Sequence, residues 1–349
     1  MVYNQTGSSC IIKLQLPINN KGAEMAKVKW GIIGCSDFAR RQTIPAMLET
    51  PSVELIGIAS RASEKAESFR SQFRLRRCYG SYEALLADPE IEAVYMPLPS
   101  GLHAEWMIRA AEAGKHCLCE KSFTTTAEEA ARVGDAFARR DRYAMEAFMW
   151  RFHSQHATAS RAIEKGEIGP VRLVRASFSF HFTRRPDIRW DPELGGGCLL
   201  DIGCYTISAA RYYFAGEPVS AFALGELHPQ DRVDTAVAGV IEFPQGAALI
   251  ECSYLLPYRT EIEMVGEKGC ITIPKPWLPD HEAIWKLNDE FHAQPLENQY
   301  VTMFEHFSRS VLRQTPPRYG VDDAVRQMRV IDAVRRSLQT RKPERVTET

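Results

Sequence analysis

A glycine-containing turn directly follows the first apolar strand segment of the chain. Residues 27–33 (Lys-Val-Lys-Trp-Gly-Ile-Ile) predict a β-strand, and residues 38–48 predict the helix after it. Between them, Gly34 to Ala39 fit the G-x-G-x-x-G/A pattern, with Ser36 in place of the middle glycine. Such a turn places a pyrophosphate at the positive end of a helix. The chain is therefore expected to fold around a nucleotide-binding strand–turn–helix unit.

The turn opens a regular alternation of strands and helices. Strands are predicted at residues 53–59, 93–96, 116–119 and 143–148. Helices are predicted at residues 63–73, 103–113 and 126–139. Short apolar strands separated by helices predict an α/β domain with a parallel sheet and helices on both faces, the Rossmann type.

The pattern changes beyond residue 150. Runs of alternating polarity follow at residues 171–180, 219–226, 236–243, 247–253, 262–265 and 270–274. Such runs predict an antiparallel sheet. We therefore expect a dinucleotide-binding domain at residues 27–150 and an α+β domain at 151–340, with its last helix (323–338) packing back on the body.

Composition excludes several classes of partner. The 349 residues carry a formal net charge of −1 without long runs of like charge, so neither nucleic acid nor a membrane surface is an expected partner. No stretch approaches the roughly 18 apolar residues of a membrane span. Residues 1–26 lack the features of a signal peptide. We interpret them as an N-terminal extension, either a disordered arm or a non-native segment, with Met25 as an alternative start.

The cysteines favour a reducing environment. The chain has nine of them, and none forms a C-x-x-C pair. Cys117 and Cys119 lie on one predicted strand with their side chains on opposite faces. Reduced thiols in a cytoplasmic protein are therefore expected, and neither a disulfide framework nor a metal site.

A second motif places a cation near the nucleotide turn. In Gly114-Lys-His-Cys-Leu-Cys-Glu-Lys121, the segment 116–119 predicts a buried strand, and Lys121 follows its carboxyl end. A lysine beside the reactive end of a nicotinamide would serve an oxidoreductase. A solvated charge at a strand end is the alternative interpretation.

The end of the second predicted strand favours NADP(H) over NAD(H). An NAD site has an Asp or Glu there for the ribose 2′-hydroxyl. This chain instead has Ser60, Arg61 and Lys65, whose groups suit a 2′-phosphate. The alternative is a solvated helix start with Ser63 as its N-cap.

Several separated motifs, taken in order, point to a known family. They are Gly31–Ala39, Pro97–His103, Ala113–Lys121, Glu146–Arg151, Gly195–Tyr205 and Gly266–Gly269. From Val28 to Lys342 the chain resembles the glucose–fructose oxidoreductase, inositol dehydrogenase and rhizopine-catabolism (Gfo/Idh/MocA) family. The branches it is most similar to are NADP-dependent D-xylose and dihydrodiol dehydrogenases and reductases of 3-keto nucleotide sugars.

The resemblance implies a Rossmann domain and a C-terminal α+β domain with a large, open, mainly antiparallel sheet. In this family that sheet usually mediates oligomerisation, so a homodimer or homotetramer is expected. The family motif is Glu-Lys-Pro where this chain has Glu120-Lys121-Ser122. Because proline restricts its own backbone and the preceding residue, its loss leaves the presentation of Lys121 uncertain.

The resemblance also assigns catalytic residues. Lys121 matches the active-site lysine, and Asp201 and Tyr205 match the D-x-G-x-[H/Y] pair on one helix face. In the preferred mechanism Tyr205 is the general acid/base, with Lys121 favouring its phenolate, while Asp201 holds a sugar hydroxyl or orients Lys121. In the alternative, Lys121 transfers the proton and Tyr205 only binds substrate.

Binding residues follow from the motifs and the resemblance together. Those expected to bind cofactor are Gly34, Cys35, Ser36, Asp37, Phe38, Ser60, Arg61, Lys65, Pro97, Leu98, His103, Glu120, Lys121 and Arg151. Those expected to bind substrate are Lys121, Arg189, Trp190, Asp201 and Tyr205. The segment 184–190 also fits a plain basic loop.

Together these features predict an NADP(H)-dependent oxidoreductase that moves a hydride to or from a carbon of an aldose or keto sugar. Its substrate is either a free aldose or a 3-keto nucleotide sugar. Two further alternatives on the same fold are a non-catalytic, NADP-sensing regulatory protein and an NAD-dependent glycosidase.

Overall fold

The computed structural model describes residues 26–279 and 282–347, so the predicted extension at 1–26 lies outside the described residues except for Ala26. Two sheets organise these residues. The first half of the chain forms a six-stranded sheet, and most of the second half forms a nine-stranded sheet. The fold is the expected Rossmann domain combined with a mainly antiparallel α+β part.

The first sheet is parallel throughout, in the order β3-β2-β1-β4-β5-β6. Its strands are β1 Val28–Ile33, β2 Val53–Ala59, β3 Arg77–Tyr79, β4 Ala93–Met96, β5 His116–Cys119 and β6 Ala144–Glu146. Its helices are α1 Ile44–Glu49, α2 Ser63–Phe73, α3 Tyr82–Leu86, α4 His103–Glu112 and α5 Ala127–Arg139. The strand order reverses between β1 and β4, which is where such sheets bind nucleotides.

The second sheet has the order β14-β13-β12-β11-β7-β10-β9-β8-β15, with only β7 and β10 parallel among its described pairings. Its strands are β7 Val171–Ser179, β8 Ser220–Leu227, β9 Asp234–Phe243, β10 Gly246–Ser253, β11 Arg259–Gly266, β12 Cys270–Ile273, β13 Ala283–Leu287, β14 Glu290–Gln294 and β15 Glu344–Arg345. The remaining helices are α6 Ser154–Glu164, α7 Cys204–Phe214, α8 Gln299–Arg313 and α9 Val321–Thr340.

Helices α7 and α9 pack against the second sheet, and α9 also packs against α5 of the first half. The apolar core is continuous across both halves. Helix α9 thus contacts elements of both halves of the chain. It reaches β6 as well, so the two halves share one interior next to the end of the parallel sheet.

The helix predicted at 38–48 exists, but its first part is a π-helical turn at Ala39–Thr43 that continues into α1. A second π-helical turn, Leu199–Gly203, precedes α7. Elements that were not predicted from the sequence include β3, α3, the hairpin strands β13 and β14, α8 and the short β15. Among the described residues, no helix is both long enough and apolar enough to cross a membrane.

Candidate active site

The nucleotide turn requires a glycine at its first position. Gly34 has φ of +116°, and a Cβ there would lie 2.8 Å from the Leu98 side chain. The Ser36 hydroxyl accepts a hydrogen bond from the Ala39 amide at 3.0 Å. The next two residues, Asp37 and Phe38, are exposed at the start of the helix, where first-turn amides have no intrahelical partner. The turn is thus open to an anion.

The end of β2 lies beside this turn. Ser60 is buried, and its hydroxyl accepts a hydrogen bond from the Ala62 amide at 3.2 Å. Burial raises the pKa of the Cys35 thiol to about 11, although Lys65 acts in the opposite direction. Arg61 and Lys65 are exposed around the buried Ser60 and Cys35. Two exposed cations therefore border the turn, an arrangement that suits a 2′-phosphate.

Lys121 and Asp201 form an ion pair between the two halves of the chain. The Lys121 ammonium donates to the Asp201 carbonyl at 2.8 Å and to the Asp201 carboxylate at 3.0 Å. Burial alone would lower the pKa of Lys121, but the attraction of Asp201 outweighs it and the pKa is raised. Lys121 is therefore a cation at neutral pH, with one N–H left after these two hydrogen bonds.

The same carboxylate binds two further groups. Asp201 Oδ2 accepts a hydrogen bond from Arg189 Nε at 2.6 Å, and the Tyr254 hydroxyl lies 3.0 Å from it. Burial would raise the pKa of Asp201, but Lys121 and Arg189 together hold it well below its usual range. Asp201 is thus a fixed anion that aligns two cations.

Tyr205 lies against Lys121, but its hydroxyl does not contact the ammonium. The Lys121 Nζ is 5.4 Å from the centre of the Tyr205 ring, and the hydroxyl lies 3.7 Å from Met149 Sδ. Burial raises the pKa of Tyr205 well above its ordinary value. The expectation that Lys121 favours the phenolate is therefore not supported: desolvation, with Tyr300 and Cys204 acting in the same direction, makes Tyr205 a neutral hydroxyl at neutral pH.

The turn after β5 carries Lys121 and is held at several points. Its Lys121–Ser122 peptide bond is cis. The Ser122 hydroxyl donates to the Leu200 carbonyl at 2.8 Å, and the Phe123 amide donates to Glu146 Oε1 at 2.8 Å. The buried His103 ring lies 2.8 Å from the carbonyl of Ser122 and 2.8 Å from that of Leu98. These contacts fix Lys121 beside the Pro97–Leu98 turn that follows β4.

Three predicted site residues have protein partners instead of facing the cleft. Arg151 is buried and forms an ion pair with Asp323, so its contacts give no support for a reach to the cofactor. Glu120 is buried and accepts a hydrogen bond from the Tyr95 hydroxyl at 2.7 Å. The Trp190 ring is buried in an aromatic cluster under Arg185, where it supports the loop that carries Arg189.

Sequence reasoning missed Tyr254 and the aromatic wall around Tyr205. The rings of Phe148, Phe178 and Trp277 lie 5.3–5.4 Å from the Tyr205 ring. Phe148 lies within the Glu146–Arg151 motif, but no local pattern marks Phe178 or Trp277 as site residues, because they come from a strand and a segment far apart in the chain. Only the position of Tyr254 directly after the β10 strand offers a weak signal, since strand ends border clefts.

The arrangement suits a nicotinamide dinucleotide. The open Gly34 turn suits a pyrophosphate, and the exposed Arg61 and Lys65 suit a 2′-phosphate. The same sheet edge carries Lys121, whose ammonium lies 5.4 Å from the centre of the Tyr205 ring. The donor set thus combines an anion cradle with a cation and a neutral hydroxyl, which is what hydride transfer at a carbinol carbon needs. No group of His, Cys, Asp or Glu within the described ranges could hold a metal ion.

Sequence comparison places both halves in one family. Residues 28–148 match the oxidoreductase family with the NAD-binding Rossmann fold, and residues 156–272 match the GFO/IDH/MocA C-terminal domain.

Individual relatives cover most of the chain. A D-xylose 1-dehydrogenase (NADP(+)) of Haloferax volcanii is 36% identical over 89% of this chain and 97% of its own. A dTDP-3,4-didehydro-2,6-dideoxy-alpha-D-glucose 3-reductase of Saccharopolyspora spinosa is 34% identical over 85% of this chain and 90% of its own. The crystal structure of a 3-ketoreductase from Actinomadura kijaniata, in complex with NADP and TDP-benzene, has a TM-score of 0.85 at 31% identity, covering 89% of this chain and 98% of that one.

Proposed function

The chain belongs to the GFO/IDH/MocA oxidoreductase family, and from that premise we propose that it is an NADP(H)-dependent sugar oxidoreductase. Its relatives include an NADP-dependent xylose dehydrogenase and a ketoreductase solved with NADP. The observation that carries the proposal is the Lys121–Asp201 ion pair packed against the Tyr205 ring, at the nucleotide-binding edge of the parallel sheet.

NADP(H), when bound, supplies or accepts the hydride. Tyr205 holds the exchangeable proton on its phenolic oxygen, donating it to the new alkoxide in reduction and taking the hydroxyl proton back in oxidation. The remaining N–H of Lys121 donates to the same substrate oxygen and stabilises its negative charge. Asp201 keeps Lys121 charged and aligned, and Arg189 binds a neighbouring sugar hydroxyl.

Because the Tyr205 pKa is raised, its neutral hydroxyl is ready to donate a proton at neutral pH. A neutral Tyr205 therefore makes reduction the easier direction, and this favours a keto sugar over an aldose as the substrate. Arg184, Arg185 and Arg189 are each paired with a carboxylate, but the Asp201 carboxylate is shared between Arg189 and Lys121.

The first experiment is the initial rate of NADP⁺ reduction with D-xylose, run beside the same assay with NAD⁺. An NADP⁺-dependent rate is expected. If there is no rate while NADPH still quenches protein fluorescence, reduction of a 3-keto sugar by NADPH is assayed next. Absence of turnover in both assays, with NADPH bound, contradicts the enzyme proposal and supports the regulatory alternative.

We further propose that the chain forms a homodimer or homotetramer through the open face of the nine-stranded sheet. Leu224, Val240 and Leu249 are 39–49% exposed on neighbouring strands β8, β9 and β10. The salt bridges Arg175–Glu263 and Arg259–Glu251 flank this apolar stripe. A stripe rimmed by balanced charges suits a second copy of the same sheet.

We also propose a cytoplasmic location and a domain division near residue 150. The location is supported by the cysteines of the described ranges, all of which are free thiols. The division is supported by the change from the parallel to the mainly antiparallel sheet.

A further inference from the structure

The residue after the active-site lysine makes a contact across the two halves of the molecule. Ser122 is fully buried, and its hydroxyl donates to the Leu200 carbonyl at 2.8 Å. Leu200 directly precedes Asp201 in the π-helical turn that leads into α7. One hydrogen bond therefore joins the neighbour of Lys121 to the neighbour of Asp201.

This contact runs beside the ion pair itself. Lys121 donates to the carbonyl of Asp201, while Ser122 donates to the carbonyl of Leu200. Two consecutive residues of one turn thus bind two consecutive carbonyls of another. Two such contacts restrain both the distance between the two turns and their relative rotation. A single flexible lysine side chain would not restrain the rotation.

The other anchors of the turn lie within the parallel-sheet half. His103 contacts the Ser122 carbonyl, and Glu146 accepts from the Phe123 amide. They fix the turn relative to the nucleotide-binding edge, while the Ser122 hydroxyl reaches the segment that carries Asp201 and Tyr205. The cofactor site and the proton-donating residue are therefore linked through this hydroxyl.

We propose that Ser122 is a positioning residue: its hydroxyl sets the geometry of Lys121 relative to Asp201 and Tyr205. It touches neither the substrate nor the cofactor and acts through the two segments it joins. This inference rests on the proposed function only where its test measures kcat.

The test compares Ser122→Ala with Ser337→Ala. Ser337 is the control, because it is buried in α9 away from Lys121, and its hydroxyl donates to the Lys342 carbonyl at 2.7 Å and accepts from the Ala223 amide at 3.0 Å. Ser337→Ala therefore loses two hydrogen bonds of a buried hydroxyl, and it is a stringent control for a general effect of such a loss. We expect Ser122→Ala to lower kcat by about ten- to a hundredfold, with the Kd for NADPH within about twofold of wild type. Ser337→Ala should retain wild-type kcat.

A readout that needs no turnover separates this inference from the proposed function. Acetic anhydride labelling, quantified by mass spectrometry, reports the fraction of Lys121 present as free amine. Loosening the pair with Asp201 should lower the Lys121 pKa, so we expect labelling to rise about threefold or more in Ser122→Ala, as for a pKa drop of about half a unit. If the wild-type protein turns over none of the sugars, the proposed function is refuted. The labelling of Lys121 still tests the positioning role of Ser122 in that case.

Unchanged kcat and unchanged Lys121 labelling in Ser122→Ala would overturn the proposal. So would equal losses of kcat in Ser122→Ala and Ser337→Ala, because they would show a general effect of a lost buried hydrogen bond. If Ser122→Ala does not fold, Ser122→Cys keeps a similar side-chain size with a weaker donor and is judged by the same two criteria.

Discussion

At the scale of single residues, the protonation states of the site determine its chemistry. Tyr205 is neutral because burial raises its pKa, while Lys121 and Asp201 remain charged because each stabilises the other. A neutral phenol can donate a proton to a substrate oxygen, and the neighbouring ammonium can stabilise the negative charge on that oxygen. In the proposed mechanism, reduction uses this neutral phenol directly, whereas oxidation first needs the phenol to give up its proton.

Removing the Tyr205 hydroxyl should abolish most of the turnover. We expect Tyr205→Phe to lower kcat by about a hundredfold or more, the usual contribution of a positioned proton donor. NADPH binding should be unchanged. The control is Tyr213→Phe, which removes another buried hydroxyl from the same helix, one whose partner is His156. Wild-type turnover in Tyr205→Phe would assign the proton to Lys121 instead.

The raised pKa of Tyr205 also predicts opposite pH profiles for the two directions. Reduction uses the protonated phenol, so its rate should stay level across the neutral range. Oxidation uses the deprotonated form, so its kcat should rise steadily with pH. Measuring both between about pH 6 and 10 checks this. A plateau of the oxidation rate at neutral pH would contradict a neutral Tyr205.

Cofactor choice should depend on Arg61. Loss of its guanidinium removes a charge-assisted hydrogen bond to the 2′-phosphate, and we expect Arg61→Ala to raise the Kd for NADP about tenfold or more. The Kd for NAD should be unaffected. Arg70→Ala is the control, because Arg70 lies on α2, the helix that begins just after Arg61, and pairs with Glu67. Equal losses for both cofactors would contradict the assignment.

At the scale of structural elements, the end of β6 contains a buried carboxyl group. Burial raises the pKa of Glu146 to about 8, with Arg151 acting in the opposite direction. Its Oε1 accepts from the Phe123 amide, which ties β6 to the turn that carries Lys121. Glu146 therefore stays protonated in the folded protein at pH values where the unfolded chain ionises it.

This difference predicts a stability that falls as the pH rises. Between the ordinary glutamate pKa and about 8, the folded state holds one more proton than the unfolded state. The free energy of unfolding should then decrease by roughly 1.4 kcal/mol per pH unit from this group alone. In Glu146→Gln, whose side chain cannot ionise, the free energy of unfolding should no longer show this part of the decrease with pH. Urea unfolding at several pH values tests this, and parallel profiles for both proteins would contradict it.

At the scale of the whole molecule, the large sheet has a covered face and an open face. Helices α7 and α9 pack on one side, while Leu224, Val240 and Leu249 remain exposed on the other. Apolar area of this kind is buried favourably in an oligomer. The proposed assembly would leave the cleft around Lys121 at the junction of the two halves of each chain.

A charge in the middle of the open face should separate the copies. We expect Leu249→Lys to reduce the mass seen by light scattering from that of a dimer or tetramer to that of one chain, because a lysine is costly to bury there. Leu48→Lys, at a 54% exposed position on α1, should leave the mass unchanged. Wild-type protein with the mass of one chain would refute the interface.

Most of the parallel-sheet half could be predicted from the order of its residues alone. Strand and helix periodicity depend on residues close in the chain, so β1, β2, β4, β5 and the turn at Gly34 could be predicted. Lys121, Asp201 and Tyr205 were found from motifs, and the structure brings them together. The short β3 and α3 and the β13–β14 hairpin were missed, because brief elements carry little periodic signal.

Only the tertiary structure decided how those residues act. The neutral state of Tyr205 follows from burial among rings contributed by distant segments. The inward pairing of Arg151 with Asp323 and the link from Ser122 to Leu200 depend on how α7 and α9 meet the parallel sheet. A sequence motif identifies only which type of residue stands at which spacing along the chain, and it says little about the surroundings of that residue in the fold. Its pKa and its partners depend on desolvation and on charges from elsewhere in the chain, and these exist only after the two halves have packed together.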